Sequence, residues 1–342
     1  MNDIYNYKLK DLEQYFKEKN ELPFKAVQVF EWIYKKKITS FLDMRNVSKK
    51  TINDLNNDFY FSTLKLEQQQ ISKDTNKYLF NLSDNNKIEA VLMKHDYGNS
   101  LCISTQVGCN MGCAFCESGR LKKVRNLSAS EMVLQILEIE KISELKINSI
   151  VLMGIGEPFD NYDSVIDFVD IINTGKGIDI GARHITISTC GIVPKIKEFS
   201  NYEKQVNLAI SLHAPNDEIR NKIMPINKAY NIKELISALK EYIKKTNRRV
   251  TLEYILLDNI NDTDKCAHEL AKLIRGMNCY VNLIPYNETT HIQFKKSSKE
   301  KIMNFYDILK KEKINVTIRR EFGNEISGAC GQLRSHYEGG NV

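Results

Sequence analysis

The chain has little of what marks a fibrous, secreted or membrane protein. Proline is scarce, with six residues in 342, and tryptophan occurs once. No apolar run approaches the ~18 residues that a membrane-spanning helix needs. The opening Met1-Asn-Asp-Ile-Tyr-Asn-Tyr-Lys8 lacks the basic-then-apolar order of a secretion signal. There is no internal repeat and no low-complexity segment. Neither sign of charge dominates: 49 Lys and Arg stand against 43 Asp and Glu, a net charge of +6. That balance is compatible with a polyanionic partner and equally with a solvated basic surface. Eight cysteines are too few for a disulfide scaffold in a chain this long. The expectation is a cytoplasmic globular protein, 42% hydrophobic, with length for about two domains.

Hydrophobic spacing divides the chain into three parts. Residues 1–60 read as a small helical domain. Leu9, Leu12, Tyr15 and Phe16 lie at helical spacing, and residues 24–37 carry Val27, Phe30 and Ile33 on one face. A weaker helix covers 46–57. Trp32 reads as core, and the lysines at 35–37 as a solvated face able to meet phosphate. Residues 61–99 change to a period of two, with strands at 63–72, 77–82 and 87–93, and read as a β connector. From 100 to 342, strands alternate with helices. Strands are expected at 101–105, 149–153, 184–188, 206–211, 250–256, 280–284 and 315–318. Helices are expected from the capping box Ser128 to Glu131 and at 162–173, 232–245, 263–275 and 298–311. Such alternation gives parallel βαβ units of the α/β class, and six or more of them suggest a complete or partial barrel, with a partial (β/α)6 barrel the form expected here. Ligands then gather on the rim at the strands' C-terminal ends. Pro158, Pro194, Pro215 and Pro285 fall just after strands, as do Gly154-Ile-Gly-Glu157, Ser211-Leu-His213 and Asn287.

The sharpest signal is Cys109-Asn-Met-Gly-Cys113-Ala-Phe-Cys116. Three thiolates within eight residues can hold three irons of a [4Fe–4S] cluster and leave one iron open to another ligand. A zinc site would need a fourth Cys or His nearby, and the next histidine is His184. Cys190, Cys266 and Cys279 read as small buried hydrophobes. His95, His184, His268, His291 and His336 read as structural or exposed.

The CxxxCxxC spacing, with an aromatic before the last cysteine, resembles the radical S-adenosylmethionine (SAM) superfamily. The likeness extends through Cys102-Ile-Ser-Thr-Gln-Val-Gly-Cys109, Gly154-Ile-Gly-Glu-Pro158, His184-Ile-Thr-Ile-Ser-Thr189 and Ser211-Leu-His-Ala-Pro215. It continues in Met224-Pro-Ile-Asn227, Val281-Asn-Leu-Ile-Pro-Tyr-Asn287 and Ala329-Cys-Gly-Gln-Leu333. This ordered set resembles the RlmN/Cfr family of RNA adenine methyltransferases, the RlmN branch most closely. One stretch departs: Glu117-Ser118-Gly119-Arg120 stands where RlmN relatives commonly carry Ala-Ser-Thr.

The resemblance implies a set of roles. Cys109, Cys113 and Cys116 would hold one [4Fe–4S] cluster. Phe115 would lie near the SAM adenine, and Gly156 and Glu157 would hold the SAM amino group. Ser188, Ser211, Leu212, His213 and Asn287 match further SAM-contact positions. Cys330 matches the cysteine that becomes S-methylated, Cys102 its transient disulfide partner, and Glu89 the proton acceptor. Read as a residue alone, Glu89 is an outward-facing strand position. The implied reaction uses two SAM molecules. One methylates Cys330; the other generates a radical on that methyl group, which adds to carbon 2 of adenine. The implied substrates are adenine 2503 of 23S rRNA and adenine 37 of tRNA. The implied electron donor is a flavodoxin- or ferredoxin-type reductant, and the enzyme a monomer without membrane attachment. The helical domain would bind RNA. Residues 35–37, Lys122, Lys123, Arg125, Lys295, Lys296, Arg319, Arg320 and Arg334 are available for phosphate. Two other readings compete. One is Cfr-type methylation of carbon 8, which the proline at 158 disfavours. The other is a non-catalytic Fe–S or zinc RNA-binding protein, which would need neither Cys102 nor Cys330.

Overall fold

The helical spacing near the start becomes three helices: α1 Leu9–Glu18, α2 Phe24–Tyr34 and α3 Lys49–Asp58. The computed structural model describes residues 1–120, 122–289 and 291–319. Helix α2 ends at Tyr34, short of the expected Lys37, and Lys37 itself takes a φ of +53°, a left-handed conformation that ends a helical path. Phe16, Phe30 and Leu55 are buried in a core shared with the rest of the molecule. Phe30 lies so close to Gly177 that a Cβ there would meet its ring at 2.5 Å. Lys37 reaches Glu140 at 2.7 Å, and Lys8 pairs with Asp167. Trp32 is partly buried and donates its indole N–H to Asn46 at 2.6 Å.

Ten strands form one sheet: β1 Lys65–Ile71, β2 Thr75–Asn81, β3 Lys87–His95, β4 Gly98–Cys102, β5 Ile147–Leu152, β6 Ile185–Thr189, β7 Asn207–Ser211, β8 Val250–Leu256, β9 Cys279–Pro285 and β10 Val316–Ile318. They lie side by side in chain order. β1 to β4 pair antiparallel, and β4 to β10 pair parallel. The segment that reads as a connector is therefore the antiparallel end of the barrel's own sheet. The parallel strands bury Ile, Leu and Val side chains, such as Ile185 and Ile187 of β6 and Leu252 and Leu256 of β8.

The crossovers are α4 Ala129–Ser143, α5 Tyr162–Ile172, α6 Val193–Phe199, α8 Ile232–Thr246, α9 Asp264–Ile274 and α10 Lys299–Lys311, with α7 Asp217–Ile223 placed between β7 and α8. Six strand–helix units followed by β10 make the partial (β/α)6 barrel. The capping box at α4 is real: Ser128 Oγ accepts from the Glu131 N–H at 3.2 Å, and Glu131 accepts from the Ser128 N–H at 2.9 Å. Sequence spacing misses α6 and α7, each only seven residues long. Pro194, which reads as a loop marker, sits in the first turn of α6, where a missing N–H costs nothing. No helix among the described residues is long and apolar enough to cross a membrane.

Candidate active site

The C-terminal ends of the parallel strands surround a cavity of about 370 Å3. Glu89, Cys102, Cys109, Cys113, Phe115, Cys116, Gly156, Glu157, Ser188, Ser211, His213 and Asn287 all line it. Leu212 is buried behind the wall, where its N–H donates to the Ile210 and Glu253 carbonyls. Cys330, the expected methyl carrier, lies outside the described residues, as do Arg320, Arg334 and His336.

The cysteine loop is fixed by its backbone. The Cys116 N–H donates to the Cys113 carbonyl at 3.1 Å, and the Ala114 N–H to the Ile223 carbonyl at 2.9 Å. Gly112 takes a φ of +64°, which favours glycine. Burial pushes the Cys109 thiol up to about 12, and raises Cys113 and Cys116 as well. Backbone N–H groups of Met111, Gly119 and Ser118 oppose this at Cys109 and Cys116. Dry thiols of this kind ionise when a cation supplies the missing charge. Among the described residues, no three His, Cys, Asp or Glu side chains are gathered as around a single metal ion. The three thiols line one cavity, and an all-sulfur donor set suits the irons of an iron–sulfur cluster.

The departing loop has its own geometry. Glu117–Arg120 forms one helical turn, with Glu117 2% exposed and ion-paired to Arg120 at 3.3 Å. A side chain on Gly119 would put its Cβ 2.9 Å from the Cys113 carbonyl oxygen. Glycine there lets the turn close against the cysteine loop.

The opposite lip is built on glycines. A Cβ on Gly154 would sit 2.4 Å from the Ile103 carbonyl oxygen, and Gly156, at φ +113°, faces Gln106 at 2.7 Å. Glu157 follows, 4% exposed, its oxygens accepting from the Phe159 N–H at 3.0 Å and the Cys190 N–H at 2.8 Å. Burial raises its carboxyl above the usual range, and a cation arriving in the cavity would oppose this by favouring the charged form. Cys190, which reads as inert core, instead lines the cavity and faces this carboxylate. Cys266 and Cys279 are buried in the main core, as expected.

His213 has a φ of +56° and packs edge-on against Phe115, ring centroids 4.9 Å apart. Its Nδ1 accepts from the Ile255 N–H at 3.0 Å. Burial, with Arg220 nearby, pushes its pKa down to about 3. The neutral ring therefore carries its proton on Nε2. Arg220 escapes sequence reasoning altogether. It is fully buried and donates to the Leu212 carbonyl at 3.1 Å, the Cys190 carbonyl at 2.6 Å, the Ser211 carbonyl at 3.3 Å and Asn227 at 3.0 Å. One guanidinium thus ties together the ends of β6 and β7.

On the antiparallel side, Glu89 is 2% exposed and faces the cavity, not solvent. The sheet places it there because β3 lies between β2 and β4 and its face closes the barrel mouth. Lys77, wholly buried on β2, approaches it at 3.1 Å. Cys102 lies on β4, opposite Val91 of β3. Burial pushes its thiol up to about 11, opposed by Arg319 and Lys77. Glu253, also missed in the sequence, is 4% exposed and accepts from Asn282 at 2.8 Å. Burial raises its carboxyl.

Several cations expected to face phosphate are tied to carboxylates. Lys123 binds Asp160 at 2.7 Å, Arg125 binds Asp84 at 2.6 Å and Glu131 at 2.8 Å, and Lys295 binds Glu288 at 2.9 Å. Arg319 lines the cavity. Lys36 and Lys122 are exposed.

Comparison with known proteins agrees with this geometry. Residues 103–274 match the model of the Radical SAM superfamily, and residues 2–60 match that of the ribosomal RNA large subunit methyltransferase N-terminal domain. A probable dual-specificity RNA methyltransferase RlmN of Spiroplasma citri is 53% identical over 99% of both chains. Its namesake in Bacillus subtilis is 49% identical over 97% of this chain and 93% of its own. The crystal structure of a radical SAM methyltransferase from Sphaerobacter thermophilus superposes with a TM-score of 0.90 at 39% identity, covering 97% of this chain and 99% of that one. A [4Fe–4S] cluster and SAM follow from the superfamily. Over nearly its whole length, then, the chain belongs to the RlmN family of radical SAM methyltransferases.

Proposed function

We propose that this protein methylates carbon 2 of adenine in RNA, at adenine 2503 of 23S rRNA and adenine 37 of tRNA. The observation carrying this reading is that one cavity joins the three-cysteine loop, Glu157, Cys102 and Glu89. Cys109, Cys113 and Cys116 hold one cluster per chain. When bound, cluster and SAM supply the methyl group and the hydrogen-abstracting radical that adenine carbon 2, an electron-poor position, requires.

The protein's own groups do the rest. Glu157 offers its oxygens to the SAM ammonium, while Gly154 and Gly156 let the lip that carries it close against Ile103 and Gln106. Phe115 packs near the SAM adenine, His213 presents Nε2–H, and Ser188, Ser211 and Asn287 orient the remaining polar groups. The Cys330 sulfur carries the methyl carbon to the base. Glu89 takes the ring proton, the C–H electron pair stays in the ring, and the adduct's unpaired electron would leave to the one-electron acceptor that a bound, oxidised cluster supplies. The Cys102 thiolate then attacks the Cys330 sulfur. An S–S bond forms, the S–C bond breaks with its electron pair going to the product carbon, that carbon takes up a proton to complete the methyl group, and the methylated base leaves. A flavodoxin- or ferredoxin-type donor supplies electrons, and thiol reductants reset the disulfide. The base must be unstacked to enter the cavity, which suits exposed loop adenines. Residues 1–60 serve as the RNA-binding accessory domain of a monomeric, cytoplasmic enzyme.

The departure of Glu117–Arg120 from the RlmN pattern leaves one second reading, Cfr-type methylation of carbon 8. Nucleoside mass spectrometry after anaerobic incubation with SAM, reductant and each RNA decides between them. 2-Methyladenosine is expected from both RNAs. A product dominated by 8-methyladenosine overturns the carbon 2 reading, and unmodified RNA from cluster-loaded protein overturns both.

A further inference from the structure

We propose that Lys77 is a positioning residue of this site: its ammonium keeps the Glu89 carboxylate charged and aimed at the ring proton of the bound base. The inference rests on the reading of Glu89 as proton acceptor. Lysine and glutamate are almost never fully buried unless paired. Here Lys77 is wholly buried, Glu89 is 2% exposed, and Nζ lies 3.1 Å from Oε2. The sheet fixes this arrangement. Lys77 pairs with Val91 across β2 and β3, and Glu89 lies two residues before Val91 on the same face. The Ser104 hydroxyl donates to the Glu89 carbonyl at 2.6 Å and holds that stretch of β3 in place. Glu89 lines the cavity and Lys77 stands behind it.

A buried ion pair is a weak stability device, because apolar residues of the same volume often do as well or better. Its place in this wall is explained if one partner must carry charge at the cavity. Without the ammonium, a carboxyl in a dry wall takes up a proton more readily. A protonated Glu89 cannot accept another proton. Among the described residues, the ionisable groups on this side include Cys102 on β4 and Arg319 after β10, with Glu253 beyond Arg319 on β8. Lys77 acts on Cys102 as well as on Glu89, so the test must separate proton removal from product release.

The Cys102→Ala background does so, since release is blocked there and the Cys330–RNA adduct is read directly. RNA carrying deuterium at adenine carbon 2 is used, and deuterium in the adduct is followed by mass spectrometry across neutral to alkaline pH. With Lys77 present, the adduct loses deuterium. With Lys77→Met, loss at neutral pH slows about tenfold or more, equivalent to an acid limb lying at least about one pH unit above the pH of measurement. It recovers as pH rises. Lys77→Arg stays within a few-fold of Lys77. If Lys77→Met lacks the parental melting profile or iron content, Lys77→Gln, which removes the charge and keeps a donor, carries the same reading. Deuterium loss that overlays the parent at every pH overturns the role of Lys77. Unaltered loss in Glu89→Gln overturns the proton-acceptor reading itself, and the two failures are thereby distinguished.

Discussion

Arg220 holds three carbonyls and Asn227 with one buried guanidinium. Replacing it with Met orphans these acceptors, each at about 1–3 kcal/mol. We expect Arg220→Met to lose at least about 3 kcal/mol in denaturant titration and, in any folded fraction, to bind SAM more weakly. At Cys102 the sign of the pH effect follows from burial. Its thiol is pushed up to about 11, so at neutral pH most of it is protonated. The attacking thiolate grows about tenfold per pH unit until that value is approached. Decay of the Cys330–RNA adduct, followed by rapid quench, should accelerate as pH rises through the neutral and mildly alkaline range. These roles differ in how far the sequence betrays them. The cysteine triad is legible because its spacing is local. Arg220 and Glu253 are not, since their partners are backbone carbonyls and an amide brought near only by folding. Lys77 and Glu89 become a pair only when two strands align.

At the scale of elements, long periodic segments are read within one to three residues. α8, α9 and α10 match their expected spans closely, and β8 matches at both ends. The seven-residue helices are missed because two turns bury too few side chains to show a period: Ile196 and Phe199 in α6, Arg220 and Ile223 in α7. The strand expected at 101–105 is placed late. β4 ends at Cys102, and Thr105 instead donates to the Ile155 carbonyl at 2.9 Å. That bond holds the Gly154–Glu157 lip against the cysteine loop's approach. Helix α4 gives a clean test of local stabilisation. Ser128→Ala removes the cap and should cost about 0.5–2 kcal/mol in thermal or chemical unfolding. Methyl transfer by the folded fraction should be unchanged, because Ser128 does not line the cavity.

For the whole molecule, the sequence places the barrel and its rim correctly but divides the sheet. The barrel reads as beginning at residue 100, with a separate connector before it, whereas the backbone pairs straight across that junction from β3 to β4. This continuity is what carries Glu89 and Cys102 to the same mouth as Cys109, Cys113 and Cys116. The account's central claim is that this mouth transfers the methyl carbon through a protein thiol and frees it with a second thiol. The direct measurement is a denaturing gel of anaerobically reconstituted protein after reaction with RNA and SAM. Cys102→Ala should accumulate a nuclease-sensitive, slower-migrating protein–RNA adduct, and Cys330→Ala should form neither adduct nor methylated base. Normal turnover by Cys102→Ala without any adduct would contradict the account.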